Sequence, residues 1–341
     1  MACLLPLILP GCGTTNSSGN LPDWVRDPYT RYNRQAYVAA VGNGSSRETA
    51  EKNAFGSLVS GFNMRIQVDE RVSTLYQQAV RNGIIAYWSE NSAVGSMISI
   101  QAGLDSLLGA EIGDVCNDNS GYYAVAVMNK ANAIRIYSDL VGSNQTMISN
   151  LVDMPLAEKN TLEGYSRYQF AATVADMMVP YVNLLSVIGG PVQGFKRGDD
   201  YRLEALGIIK AIPVAIRVQN DRSNRIEGAF AKVLSDLGFQ SSVNSSPASP
   251  ATRYALDTNI VTSVVEFPND VRKWTRIEVS ANLVDGSTGA VLLPFNFYNR
   301  EGHPASQSEA DNRAYMAAEQ RINEGYAKLL SDYLNQLLPK R

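Results

Sequence analysis

Histidine and cysteine are scarce in this 341-residue chain, which contains one His, His303, and three Cys. A zinc site with several His ligands or a two-His iron site therefore cannot form. A Ser-His-Asp or Cys-His catalytic group would have to use His303 itself. The three cysteines, Cys3, Cys12 and Cys116, are too few for a disulfide framework. The sequence predicts no metal ion, no cofactor and no catalytic residue.

Basic clusters and long apolar runs are also missing. Lys and Arg number 30 against 33 Asp and Glu, and the net charge is -3. Nucleic acid is thereby excluded as a partner, because phosphate binding needs clustered cations. The most apolar stretch, 170–188, is broken by Asp176, Pro180 and Asn183, so no clean membrane span of ~20 residues exists. We interpret it as an amphipathic helix that bridges or covers two domains, with docking to a membrane surface or a partner as the alternative.

The N-terminus carries an apolar run, Leu4–Leu9, then Pro10-Gly11-Cys12 and a small polar stretch at 13–20. This arrangement resembles a bacterial lipobox, although no Lys or Arg precedes the run. In that class of signals the leader is cut before the Cys, which then carries lipid. The resemblance predicts a signal peptide at 1–11, a lipid attachment site at Cys12 and a flexible tether at 12–21. The alternative is an ordinary apolar N-terminus that ends in Cys.

Alternating and helical periodicities predict an α+β fold with two modules of antiparallel sheet covered by helices, joined by a helical segment. The predicted domains are 22–140, a helical connector at 141–204, and 205–341. In the first, Ala50, Ala54 and Leu58 predict a packed helix after Ser45-x-x-Glu48. The predicted strands of the first domain are 37–42, 62–68, 97–102, 107–116 and 122–128, with helices at 73–82 and from 130. Those of the second are 213–218, 239–243, 253–266, 272–283 and 291–298, with helices at 224–237 and after Ser306-x-x-Glu309.

Several motifs of the first domain share an order with a known family. They are Pro22-x-Trp24-Val25, then Tyr37–Gly42 followed by x-Gly44, then Ala50-x-x-x-Ala54. This order resembles the Lpp-twenty lipoprotein family and the N-terminal domain of the flagellar assembly protein FlgT. The element order of 205–341 resembles the N-terminal domain of TolB. The resemblance implies an exported lipoprotein that acts in assemblies at the cell envelope, and it implies no catalytic residues.

Four short motifs have a chemical alternative beside a structural one. The segment 42–46 would bind an anion if its N–H groups were free, but it lacks the third Gly of a dinucleotide fingerprint. The segment 117–121 lacks calcium-loop spacing and reads as a hairpin turn. Asp199-Asp200 reads as a solvated acidic pair in a loop, and 299–303 as a turn with a polar docking surface.

Together these observations favour a non-enzymatic, lipid-anchored protein at the periplasmic face of the outer membrane. Its predicted partners are the membrane, through lipidated Cys12, and envelope proteins, with self-association included. The hypothesis extends to a scaffolding or assembly role linked to a flagellar or secretion-type complex. The alternative is a periplasmic binding module for cell-wall glycan or a small ligand, which would use the chain's 17 tyrosines.

Overall fold

The computed structural model describes residues 21–62, 107–192, 194–222, 224–243 and 252–337. Cys12, the tether up to residue 20, and the elements predicted within 63–106 lie outside these residues. Helices and two sheets make up the described part, and the α+β class is confirmed.

The described strands and helices agree with most of the predicted segments. The strands are β1 Tyr37–Gly44, β2 Ala110–Asp118, β3 Gly121–Asn129, β4 Pro213–Gln219, β5 Gln240–Val243, β6 Tyr254–Val265, β7 Lys273–Asp285 and β8 Ala290–His303. The helices are α1 Asp23–Arg26, α2 Arg47–Gly61, α3 Lys130–Val152, α4 Leu156–Lys159, α5 Leu162–Ile188, α6 Gly198–Lys210, α7 Arg225–Asp236, α8 Gln307–Arg321 and α9 Ala327–Gln336. A 3-10 turn, Pro28–Thr30, follows α1, and a π-helical segment, Ile322–Tyr326, joins α8 to α9.

The described residues divide into two compact units. The first unit contains 21–62, 107–142 and 180–192, and the second contains 143–179 and 194–337. The predicted domain boundaries stay a prediction. Each unit has its own sheet.

The first unit is built on an antiparallel sheet in the order β1-β3-β2. Helix α2 packs through Ala50, Ala54 and Leu58, all almost fully buried, as their spacing predicts. The predicted start of this helix is wrong by one residue. Ser46, not Ser45, is the N-cap, and its side chain accepts a hydrogen bond from the Thr49 N–H.

Gly42 lies in strand β1, in agreement with the predicted strand 37–42, and the strand continues two residues further to Gly44. A Cβ built on Gly42 would lie 2.1 Å from the backbone N of Ala54, so only glycine lets the helix approach this closely. The Asn43 carbonyl accepts a hydrogen bond from the Asn53 side chain at 2.7 Å. The Gly-x-Gly motif therefore serves helix-on-sheet packing, because its glycines make room for α2.

The other face of this sheet is covered by the chain's own N-terminal segment. Trp24 is 4% exposed and packs on Ala39, Val125 and Val127. Tyrosines of the same segment pack around this Trp24 cluster, and Cys116 lies at its edge. Trp24 thus docks on the first sheet. Burial raises the pKa of the Cys116 thiol, with Asp118 and Asp114 adding to the shift.

The second unit has a five-stranded sheet in the order β5-β4-β6-β7-β8. Strands β6, β7 and β8 pair antiparallel, but β4 is parallel to both β5 and β6. The sheet is therefore mixed and departs from the purely antiparallel module predicted. Helix α7 carries the chain from the end of β4 back to the start of β5, and this return permits the parallel β4–β5 pair.

Helices cover one face of this second sheet. Phe230 of α7 meets Tyr326 and Phe295 edge-on, at ring-centroid distances of 5.0 and 6.3 Å. The small residues of α8, Ala310, Ala314 and Ala318, are fully buried. Leu329 of α9, in contrast, is 38% exposed. The π-helical segment before α9 changes the helical phase and turns that residue outward.

Helix α5 is long and apolar enough to cross a membrane by length and composition alone, and it is the one such helix among the described residues. Core helices of soluble proteins pass the same test, and 56% of its most apolar window is buried. The buried residues include the predicted apolar stripe: Phe170, Val174, Met177, Met178, Tyr181, Leu185 and Ile188. The predicted apolar stripe is therefore buried, but burial extends beyond it to Ala171, Ala172 and Ala175, so the helix does not have the single apolar face of the predicted amphipathic helix.

Candidate functional site

The four motifs with a chemical alternative have structural roles in the described residues. The segment 117–121 forms the β2–β3 turn, where the Asp118 carboxylate accepts the Ser120 N–H at 2.8 Å. Asp199 and Asp200 lie in the first turn of α6, not in a loop. Asp200 accepts the Arg197 N–H, and Asp199 binds Arg202. Among the described residues, no group of three or more His, Cys, Asp or Glu could hold a metal ion.

The predicted turn at 299–303 is wrong, because these residues continue strand β8 to His303. The His303 Nδ1 accepts the Ala305 N–H at 3.2 Å, so the ring helps end the strand. Extension of β8 brings Gly302 opposite Trp274 of β7 and Arg300 opposite Arg276. The strand thus contributes to a surface that the sequence alone did not single out.

That surface begins at the hairpin tip, the connection between β6 and β7 from Val264 to Trp274. Its apolar side chains face water: Val271 is 89% exposed, Val264 61% and Phe267 36%. The Phe267 ring meets the Trp274 ring edge-on at 5.2 Å between centroids. A Cβ on Gly302 would lie 2.8 Å from the Trp274 indole, so the absence of a side chain there lets the ring lie against β8.

The Asp270 carboxylate holds the hairpin tip in one conformation. It accepts hydrogen bonds from the Arg272 backbone N–H at 3.0 Å, from the Arg272 guanidinium and from the Trp274 indole N–H at 2.9 Å. These bonds, led by those from Arg272, keep the pKa of Asp270 well below its usual range. The Arg272 guanidinium also lies 4.6 Å from the Trp274 ring centroid. The apolar tip is therefore preorganised.

Behind the hairpin tip, the open face of the sheet carries an arginine face, which consists of Arg276, Tyr298 and Arg300. Arg276 and Arg300 are directly opposite each other on β7 and β8, and both guanidinium groups lie within 6.0 Å of the Tyr298 ring centroid. Arg276 is paired with Glu278 at 3.0 Å. Within the described part of the chain, Arg300 and Lys273 form no ion pair. The sequence signal was the alternation Trp274-x-Arg276 and Tyr298-x-Arg300, which sequence reasoning missed.

A separate cavity of about 310 Å³ lies within the second unit, near the start of α5. Its polar lining is mostly paired: Arg167 binds Glu163 at 3.1 Å, and Arg253 binds Asp285 at 3.3 Å. Tyr254 accepts the Leu162 N–H at 3.0 Å.

Three ionisable side chains of this cavity, Tyr254, Tyr333 and Asp285, have shifted pKa values, and burial raises the pKa of Tyr254. Burial raises the pKa of Tyr333 to about 12. Burial acts to raise the pKa of Asp285, but hydrogen bonds from Ser287 and Arg253 bring it below its usual value. Asp285 is therefore held ionised, with its charge already balanced by Arg253.

Among known proteins, only solved structures are similar to this chain. No protein-family model matches the chain, and no curated protein matches it. The chain is similar to the secreted protein HP1454 of Helicobacter pylori, at 14% identity and a TM-score of 0.37. That match covers 84% of this chain and 97% of HP1454.

Shorter solved structures match about a third of the chain. One is a Caulobacter crescentus protein described as a lipoprotein, at 16% identity and a TM-score of 0.25, over 35% of this chain and 90% of that one. Another is the PelC dodecamer of Paraburkholderia phytofirmans, at 19% identity and a TM-score of 0.25, over 35% and 88%. Bacterial lipoproteins and secreted proteins are thus among the structures similar to this chain. At such scores the likeness assigns no activity or partner, and the resemblance to Lpp-twenty, FlgT and TolB stays a prediction.

Proposed function

We propose that this protein is a non-enzymatic lipoprotein, anchored through Cys12 at the periplasmic face of the outer membrane. There it would assemble with other envelope proteins or with copies of itself, in a flagellar or secretion-type complex. The observation that carries the proposal is the apolar run ending at Cys12, followed by small polar residues. One acyl chain gives only marginal binding, so stable anchoring requires a multiply acylated Cys.

The packing of Trp24 supports this arrangement. Trp24 is buried on the first sheet. The predicted tether therefore has about ten residues between Cys12 and the first unit. Ten extended residues reach at most about 35 Å. A lipid at Cys12 would hold the first unit within this distance of the membrane surface.

The anchor is tested by comparing Cys12→Ser with Cys116→Ser, which removes the cysteine of β2. Native membranes are isolated, washed with high salt and analysed by intact mass and detergent partitioning. The proposal expects a mature chain that begins at Cys12 and carries added acyl mass. Cys12→Ser should move to the soluble fraction, while Cys116→Ser stays in the membrane. If Cys12→Ser remains with salt-washed membranes, the anchor is wrong.

The cavity of the second unit favours a second candidate, the binding of a cell-wall fragment or another small ligand. Its size reaches the lower end of the range of small-molecule sites. Calorimetric titration with muropeptide fragments tests this function, using Arg253→Met as the cavity variant. Arg217→Met is the matched control, since Arg217 forms a surface pair with Asp257. No heat of binding from any fragment would contradict this candidate.

A further inference from the structure

The hairpin tip exposes apolar side chains that the protein itself holds rigid. Val271 and Val264 are more exposed than buried, and Phe267 is fixed against Trp274. Because the Asp270 carboxylate satisfies the Trp274 N–H and the Arg272 guanidinium, the tip loses little conformational freedom when it enters an apolar phase. Burying Val271 and Phe267 away from water is favourable in proportion to the apolar area removed.

From the tip along β7 and β8, apolar side chains come first, then Trp274, then Arg276 and Arg300. This order matches the acyl region, the interface and the phosphate layer of a bilayer. Trp274 and Arg276 are two positions apart on β7, so their side chains lie on the same face, about 7 Å apart along the strand. The polar layer on each side of a bilayer is about 5–8 Å thick. With the apolar tip at the acyl boundary, Trp274 would lie at the interface, where Trp is enriched. Arg276 and Arg300 would then reach the lipid phosphates.

The charges of this surface fit an anionic partner. Arg276 and Arg300 stand opposite each other on neighbouring strands, and like charges in that position repel. Glu278, 3.0 Å from Arg276, balances one of the two charges. A lipid phosphate at Arg300 would supply a counter-charge for the other. Lys273, which forms no ion pair among the described residues, adds an exposed cation beside the tip, and Glu266 adds an exposed carboxylate. Juxtamembrane Lys and Arg residues gain affinity for anionic headgroups through the same electrostatic attraction.

We propose that the hairpin tip and the arginine face together dock onto an anionic phospholipid bilayer, the tip entering the acyl boundary and the arginines binding phosphates. This contact deepens the proposed envelope function and rests on its placement at a membrane. It does not depend on acylation of Cys12, and so it is tested without the lipid. In the cell it would act as a second attachment that orients the second unit.

The test uses the mature chain, residues 12–341, with Cys12→Ser so that no acyl group contributes. Co-sedimentation is measured at low salt with phosphatidylcholine vesicles and with vesicles that contain about one third phosphatidylglycerol. The expected result is preferential binding to the anionic vesicles. A shift of Trp274 emission to shorter wavelength should accompany binding, and Trp274→Phe should abolish that shift. Trp24 is 4% exposed and serves as the internal reference.

Two substitutions separate the apolar contribution from the charge. Val271→Glu should weaken partitioning onto anionic vesicles about tenfold, because a carboxylate would replace a valine that the bilayer removes from water. Val291→Glu is the matched control, because Val291 is 55% exposed at the start of β8, at the end of the strand far from the tip. This variant should bind vesicles as the parent protein does. Arg300→Gln should weaken binding about fivefold on anionic vesicles and leave phosphatidylcholine binding unchanged.

Three results would overturn the proposal: no binding to either vesicle at low salt, unchanged binding by Val271→Glu, or equal loss by Val271→Glu and Val291→Glu. If vesicles remain unbound while Val271→Glu abolishes crosslinking to another envelope protein, the tip is a protein-docking surface instead. Failure of the Cys12 experiment leaves this result untouched, because the acyl group is absent from the vesicle assay. Circular dichroism of each variant verifies that the fold is retained.

Discussion

The two tryptophans that the structure describes, Trp24 and Trp274, both pack against aromatic rings but differ in their exposure to water. Trp24 is buried by tyrosines and valines of the first unit. Trp274 has Phe267 and Arg272 beside it but lies at a tip whose Val271 is 89% exposed. The first sheet has both faces covered by its own chain, one by α2 and one by the N-terminal segment. The second sheet leaves its arginine face open. Apolar area already buried stabilises the fold, whereas apolar area left exposed is available for a partner.

The largest effect is expected from Trp24→Ala. Removing a buried indole creates a cavity and should lower the free energy of unfolding by about 3–5 kcal/mol. Trp274→Ala should cost only about 1–2 kcal/mol, because its side chain is partly in water. Urea unfolding of both variants measures the difference. Equal losses of unfolding free energy would contradict this expectation, because they would show that the two tryptophans contribute alike to stability.

A smaller effect is expected from Gly42→Ala in the first unit. Its new methyl group would meet the backbone of Ala54 and force α2 away from β1, at a cost of about 1–3 kcal/mol. Gly56→Ala is the control within α2, because a Cβ there meets nothing within 4 Å. Alanine at that exposed helical position should stabilise by about 0.5–1 kcal/mol. Thermal unfolding of the pair should therefore give shifts of opposite sign.

The smallest effect concerns Asp270, which organises the hairpin tip. Its pKa in the folded protein is below its usual value, so it contributes stability at pH values above the unfolded pKa of about 4. This contribution should be lost as the pH falls below about 4 and the carboxylate takes up a proton. Unfolding measured across this window should show a shallower decline for Asp270→Asn than for the parent. Glu266→Gln, an exposed carboxylate of the same hairpin, should keep the parent profile.

Tyr32 offers the alkaline counterpart in the first unit. Its hydroxyl donates to Asp114 at 2.6 Å, and burial, followed by this contact, raises its pKa to about 12. The folded state therefore holds the proton more tightly than the unfolded chain, and stability should decline as the pH rises from about 10 to 12. Tyr32→Phe should remove that part of the decline. An unchanged alkaline profile in this variant would show that other groups cause it.

Local periodicity determined much of this molecule from the sequence alone. The four-residue spacing of Ala50, Ala54 and Leu58 predicted the buried face of α2, and the pattern Ser306-x-x-Glu309 predicted the cap of α8, where Ser306 accepts the Glu309 N–H. Such patterns predict structure because the helix period places residues three or four apart on one face, and the strand period does so for residues two apart. The lipobox resemblance at Cys12 is equally local.

Tertiary structure decided the features that depend on contacts between distant segments. The parallel pairing of β4 with β6 and the extension of β8 to His303 both require partners far along the chain. Arg276 and Arg300 are separated by 23 intervening residues, and only the register of β7 and β8 makes them neighbours. The sequence predicts Gly42 as the end of a strand, but only the structure shows that Gly42 and Gly44 lie directly beneath α2. The local periodicity of the sequence specifies which face of a helix or strand is buried. The register between strands and the close approach of a helix to a sheet are set by tertiary packing, which no local sequence pattern records.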